Sequence, residues 1–139
     1  MTSVFDHAWM TGLFGDKRVA EHLSAEVQLA HMLRIEAAHS RLLGNESAAC
    51  AIEATQIRPE DLTEGTATDG LPVPQLVRCL KAQISPELHG DIHRGLTSQD
   101  VMDTALVLSL KDILPMFQQG LIALQADLAQ LMQAHGGAA

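Results

Sequence analysis

The chain contains no tyrosine, one tryptophan and three phenylalanines among 139 residues, so its core must be built from aliphatic side chains. Basic residues are also few. Nine Lys and Arg stand against 17 Asp and Glu, a net charge of −8. Neutralising nucleic-acid phosphates takes a surplus of Lys and Arg that is missing, and there is no polybasic patch for a membrane surface, so neither nucleic acid nor membrane is expected as a partner. The two cysteines, Cys50 and Cys79, have no CxxC spacing and are expected to be buried thiols in a reducing compartment. No window reaches the roughly 18 apolar residues of a membrane helix, and the opening Met1-Thr2-Ser3-Val4-Phe5-Asp6-His7 has no basic region of a signal peptide. A cytoplasmic protein is expected. Strands are not expected either, because no segment alternates with a period of two. Glycine-rich phosphate motifs are absent.

What is present is helical. Apolar residues make up 47% of the chain and charged residues 19%, enough for the core of one ordinary domain. Ser24 is placed to cap a helix running to about Leu43, with an apolar stripe of Leu29, Met32, Leu33, Ile35, Ala37, Ala38, Leu42 and Leu43, and Gly44 as its stop. Glu36 falls among these residues. It reads as a carboxylate at the edge of the stripe, paired with Arg34 or Arg41, the alternative being a buried carboxylate with a perturbed pKa. His31 and His39 read as surface residues. Asn45 should cap a second helix over residues 46–55, and Pro59 should open a third. The run from Thr63 to Pro74 is dense in Gly, Pro and small polar residues and predicts a loop. Pro74 then opens a helix with Leu76, Val77, Leu80 and Ile84 on one face. At the start of the chain, Phe5, Trp9 and Phe14 should pack a short helix closed by Gly12 and Gly15.

The longest helix follows the polar stretch His93-Arg94-Gly95-Leu96-Thr97-Ser98-Gln99-Asp100. Its residues Leu106, Leu110, Ile113, Phe117, Leu121, Leu124, Leu128 and Leu131 recur at intervals of three and four, a heptad-like seam for packing against other helices. Between Ala105 and Leu114 apolar residues spread to several sides, as on a helix covered by several neighbours. Pro115 should bend this helix or divide it in two. A tail from His135 to Ala139 should be unstructured. Thr97 or Ser98 can serve as N-cap, and the remaining first-turn N–H groups, with the positive end of the helix dipole, form a natural site for carboxylate or phosphate. An ordinary helix cap is the plainer reading of the same residues. His89-Gly90-Asp91-Ile92-His93 also gathers two imidazoles and a carboxylate, but a metal site would need ligands the sequence does not identify, so none is expected.

The string from Gly95 to Ala105, Gly-Leu-Thr-Ser-Gln-Asp-Val-Met-Asp-Thr-Ala, resembles the first signature region of the fumarase/aspartase lyase superfamily. The preceding His93-Arg94-Gly95 is similar to a His-x-Gly shared by the adenylosuccinate lyases and the bacterial 3-carboxy-cis,cis-muconate cycloisomerases. Gly70-Leu71-Pro72-Val73-Pro74-Gln75-Leu76-Val77-Arg78-Cys79-Leu80 resembles a cycloisomerase pattern, as do Ser3-Val4-Phe5-Asp6-His7 and Leu13-Phe14-Gly15-Asp16. Adenylosuccinate lyases carry a His-Asp pair in the region where this chain has no histidine between His39 and His89, which favours the cycloisomerase branch.

The resemblance implies an all-α fold, a helical domain over residues 1–96 followed by the start of a central helical bundle over 97–139. It implies cycloisomerisation of 3-carboxy-cis,cis-muconate, a small tricarboxylate, in protocatechuate catabolism, in a homotetramer whose sites draw on three subunits. No cofactor is implied. Thr97 and Ser98 would bind a substrate carboxylate, His93 would donate to a carboxylate or assist proton transfer, and Gln99 would donate an amide bond. Arg94 is a weaker candidate, while Asp100 and Asp103 would stabilise the helix start. The resemblance covers roughly the first third of a typical member, without the later serine loop that supplies the catalytic base, so an N-terminal portion inactive by itself is expected. A C–N lyase of the same superfamily and a non-catalytic helical oligomerisation module are the competing expectations.

Overall fold

The computed structural model describes residues 7–136, and among them there are helices and turns but no strand. The fold is all-α, as expected. In chain order the helices are α1 (Thr11–Phe14), α2 (Lys17–His22), α3 (Ala25–Leu42), α4 (Glu46–Glu53), α5 (Thr63–Asp69), α6 (Val73–Gln83) and α7 (Ser98–His135), with 3-10 turns at Pro59–Leu62 and Pro86–Asp91.

Caps set most of these boundaries. Ser24 Oγ accepts from the Val27 N–H at 3.3 Å and starts α3. The helix ends at Gly44, whose φ of +83° carries little cost without a Cβ. There the Gly44 N–H donates to Arg41 O and the Asn45 N–H to Ser40 O, at 2.9 and 3.0 Å, which is a Schellman closure. Asn45 Oδ1 then accepts from the Ala48 N–H at 3.0 Å and opens α4. Arg41 fastens this hairpin through Glu46 and Glu53, with N–O distances of 2.7 to 2.9 Å.

The core lies between α3, α4, α6 and the first part of α7. Leu29, Met32, Ile52, Leu76, Leu80 and Val101 are among the side chains that meet there. Four residues of α7 at intervals of four, Val101, Ala105, Ser109 and Ile113, form its buried line. Ser109 ties three helices together, accepting from Gln28 Nε2 and donating to His22 O, both at 2.7 Å.

Several expectations need correction. The Gly-rich run over 63–69 is helix α5, ended by Gly70 at φ +77°. Gly65 is buried there because α6 lies against it, and a Cβ at this position would sit 2.4 Å from Gln75 Cβ. The glycine marks close packing, a signal that composition alone reads as a turn. Trp9 and Phe14 are 78% and 57% exposed and lie outside the core. Phe5 lies outside the described residues. Cys50 is exposed, on the outward side of α4, and Cys79 is half-buried. His31 and His39 are both half-buried, with His31 Nε2 buried and unpartnered among the described residues. Leu42 is 86% exposed, so the apolar stripe of α3 stops short of its end.

Helix α7 runs through Pro115 as one element of 38 residues, about 57 Å at 1.5 Å per residue, and includes His135. The proline is accommodated because Lys111, whose carbonyl loses its helical partner, lies at an exposed position open to water. Residues 137–139 of the expected tail lie outside the described residues. From Phe117 onward every described residue of α7 is exposed, including Leu121, Leu124, Leu128 and Leu131. The expected seam is therefore offset from the line that packs on α3, and the two share Ile113. No described helix is long and apolar enough to cross a membrane.

Two substitutions test this packing. Leu80→Ala, at a fully buried position, should lower the unfolding free energy by about 2–5 kcal/mol. Gly65→Ala should destabilise by about 1–3 kcal/mol through overpacking. A loop or exposed helix at residue 65 would instead give no change or a gain in urea titration.

Candidate functional site

The segment between α6 and α7 is held onto α3 and α4 by polar bonds. His89 Nε2 donates to Ile84 O at 2.9 Å and folds the 3-10 turn back on the end of α6. Asp91 receives three donors: Ser40 Oγ at its carbonyl (3.2 Å), and Asn45 Nδ2 (2.5 Å) and Arg94 Nη1 (3.4 Å) at its carboxylate. His39 Nε2 donates to Arg94 O at 2.8 Å. Ile92 fills the core between these contacts.

His93 is the pivot of the segment. Its φ is +57°, in the left-handed region, where a side chain costs on the order of 1–2 kcal/mol. The strain is held by Glu36. One carboxylate oxygen accepts from the His93 backbone N–H at 3.1 Å, and the other lies 2.6 Å from His93 Nδ1. Glu36 is wholly buried, so its expected place at the stripe's edge beside Arg34 or Arg41 is wrong. Arg41 is occupied by Glu46 and Glu53. The periodicity carries a signal for this: Leu29, Met32, Glu36 and Ser40 are the buried positions of α3 at intervals of three and four, which puts Glu36 mid-stripe. The partner, 57 residues away, leaves no mark in the local sequence. Nor does the sequence single out Asp91, Ser40 and Asn45 as anchors of this segment.

At the start of α7 the two hydroxyls separate. Thr97 is the cap: its Oγ1 accepts from the Asp100 N–H at 3.2 Å, and its own N–H and hydroxyl both donate to Asp100 Oδ2 at 2.7 Å. These two bonds hold the Asp100 carboxyl below the ordinary carboxylate range, helped by the nearby His93 and His39 rings. A carboxyl depressed in the folded state stabilises it at pH above the unfolded value, and the contribution fades as pH falls through the lowered one. Ser98 is half-buried and its hydroxyl has no partner among the described residues. The N–H groups of Ser98 and Gln99 precede the first helical bond, which runs from Val101 N–H to Thr97 O. The Gln99 amide donates along the helix to Asp103 Oδ1 at 2.5 Å and so lies against α7. Arg94 is exposed and leans on Asp91.

His89, Asp91 and His93 thus bond in three different directions, and no group of three or more His, Cys, Asp or Glu is arranged to hold a metal ion among the described residues. The helix start is an open surface. An apolar cavity of about 340 Å³, lined by Leu29, Met32 and Leu62 among others, and one of about 560 Å³ between α2 and Phe117 border neither His93 nor Thr97.

No model of a known protein family matches the chain. Two curated proteins do. A 3-carboxy-cis,cis-muconate cycloisomerase of Pseudomonas putida is 36% identical over 135 residues, covering 91% of this chain and 31% of that protein. A protein of the same name from Pseudomonas aeruginosa is 33% identical over 136 residues, covering 94% of this chain and 29% of its own length. The chain therefore spans about a third of the length of these relatives. Matched across more than nine-tenths of its residues by two proteins of one name, and all-helical as their resemblance implied, the chain belongs to the family of the 3-carboxy-cis,cis-muconate cycloisomerases.

Proposed function

We propose that this chain supplies part of the substrate-carboxylate site of an enzyme that converts 3-carboxy-cis,cis-muconate to a carboxymuconolactone. The observation that carries the reading is the shared name of two relatives matching almost the whole chain. The helix start supports it. A hydroxyl and two N–H groups without partners among the described residues stand at the positive end of a 38-residue helix, an arrangement suited to a carboxylate.

In the proposed reaction one substrate carboxylate oxygen adds to a carbon–carbon double bond of the same molecule, forming the lactone C–O bond. The electron pair of that double bond moves toward the carbon beside another carboxylate, which takes up a proton. Negative charge grows on that second carboxylate before the proton arrives. Donors already aimed at it lower the barrier, because they need no rearrangement as the charge develops. Ser98 and the N–H groups of Ser98 and Gln99 take this role. Thr97 acts through Asp100 to keep the helix start in shape, so the hydroxyl pair divides binding and capping between its members. The substrate itself supplies nucleophile and electrophile.

The proposal extends to assembly. Phe117, Leu121, Leu124, Leu128 and Leu131 line α7 beyond the core and are 51 to 67% exposed, a row of apolar side chains of the kind that marks an interaction surface. A homo-oligomeric helical bundle buries it.

Three measurements test these statements. In a chimera carrying this chain in place of the matching segment of the Pseudomonas putida protein, Ser98→Ala should lower kcat/KM about tenfold or more in an ultraviolet assay with carboxymuconate. Thr97→Ala should instead cost about 1 kcal/mol of stability. Equal turnover by native and Ser98→Ala chimeras would sink the reading, and turnover of a succinyl adduct would move it to a C–N lyase. Leu124→Glu should shift sedimentation of this chain toward the monomer. A native chain that already sediments as a monomer would refute assembly through α7.

A further inference from the structure

A wholly buried carboxylate needs partners, and Glu36 has two, both on one residue. Its only described bonds are to the His93 backbone N–H, at 3.1 Å, and to His93 Nδ1, at 2.6 Å. The two contacts use one carboxylate oxygen each, so the group is held at the backbone and at the ring together. The backbone of His93 is bent into the left-handed region at φ +57° to make both at once. The ring is 20% exposed, and Nε2 is neither buried nor partnered among the described residues. The imidazole therefore has an inner nitrogen committed to the core and an outer nitrogen directed away from it. The ring as a whole lies near enough to the start of α7 to help lower the pKa of the Asp100 carboxyl.

We propose that Glu36 is a positioning residue that holds His93 with Nδ1–H turned inward and Nε2 presented outward, making Nε2 the atom that gives a proton to, or takes one from, a ligand at the start of α7. The inference rests on the preceding reading that a carboxylate binds there. A carboxylate behind an imidazole fixes both the tautomer and the direction of the ring, and the effect does not require the carboxylate to touch the ligand. Because one oxygen also holds the backbone, a glutamine at position 36 cannot substitute: it has one acceptor oxygen, and its NH₂ would face one of the two His93 donors. Aspartate is one methylene too short to span the same two atoms.

Long-range ¹H–¹⁵N spectra of the imidazoles of this chain decide the point, with His93→Asn identifying the signals of His93. The expected result is a protonated Nδ1 in the native chain, and in Glu36→Gln a ring that reverts to the mixture of tautomers found in free imidazole. A native ring with bare Nδ1 and Nε2–H, or a pattern unchanged in Glu36→Gln, overturns the proposal. Should Glu36→Gln fail to fold, judged by circular dichroism, the native spectrum alone still distinguishes the two tautomers and so supports or overturns the assignment. In the chimera, Glu36→Gln should lower kcat at least tenfold and change KM less than threefold, a split that a purely structural carboxylate would not produce. Full turnover by that variant, where Ser98→Ala is impaired, would reject the positioning role and leave the carboxylate site standing. If Ser98→Ala has no effect, the site reading fails, and the spectra still report whether Glu36 orients the ring.

Discussion

A carboxyl group withdrawn from water needs hydrogen-bond partners, and Glu36 finds them by drawing the segment before α7 down onto α3. The left-handed backbone at His93 and the position from which α7 departs both follow from this bond. The neighbouring contacts of Ser40, His39 and Asn45 act in the same direction and spread the load over α3 and the first turn of α4. Four polar side chains on a helical hairpin thus place a short segment whose own sequence has little tendency to adopt one shape.

The parts of the fold governed by local chemistry are legible in the sequence. Ser24, Asn45 and Thr97 each bond the N–H groups that their positions imply, and Gly44 closes α3. What escapes is decided by contacts between distant residues. Gly65 reads as a loop residue until α6 is seen lying against it, and Glu36 reads as a carboxylate at the stripe's edge until its partner 57 residues later is known. The aromatic residues Trp9 and Phe14 mislead for a related reason, because ring size suggests burial and says nothing about whether a core remains open to receive it. Of the expected site residues, Thr97 and Ser98 stand where their order requires, but which of them caps and which is left free depends on Asp100. Gln99 turns along its own helix toward Asp103.

The two faces of α7 have different roles. Its line at 101, 105, 109 and 113 belongs to this chain's own core, with the small residues Ala105 and Ser109 at its middle. The stripe that begins near Phe117 is offset from that line and stands in water here, so one helix joins a satisfied interior to an unsatisfied exterior. In the proposed assembly, a ligand at the first turn and whatever covers the last turns would be joined by one unbroken helix.

Asn45 shows how tightly this arrangement is geared. Its backbone N–H completes the end of α3, its side-chain oxygen begins α4, and its side-chain nitrogen holds Asp91. A single amide thereby sets a joint, a direction and a distance together. Through its bond to Asp91, any rocking of the hairpin pulls on the segment that leads to α7.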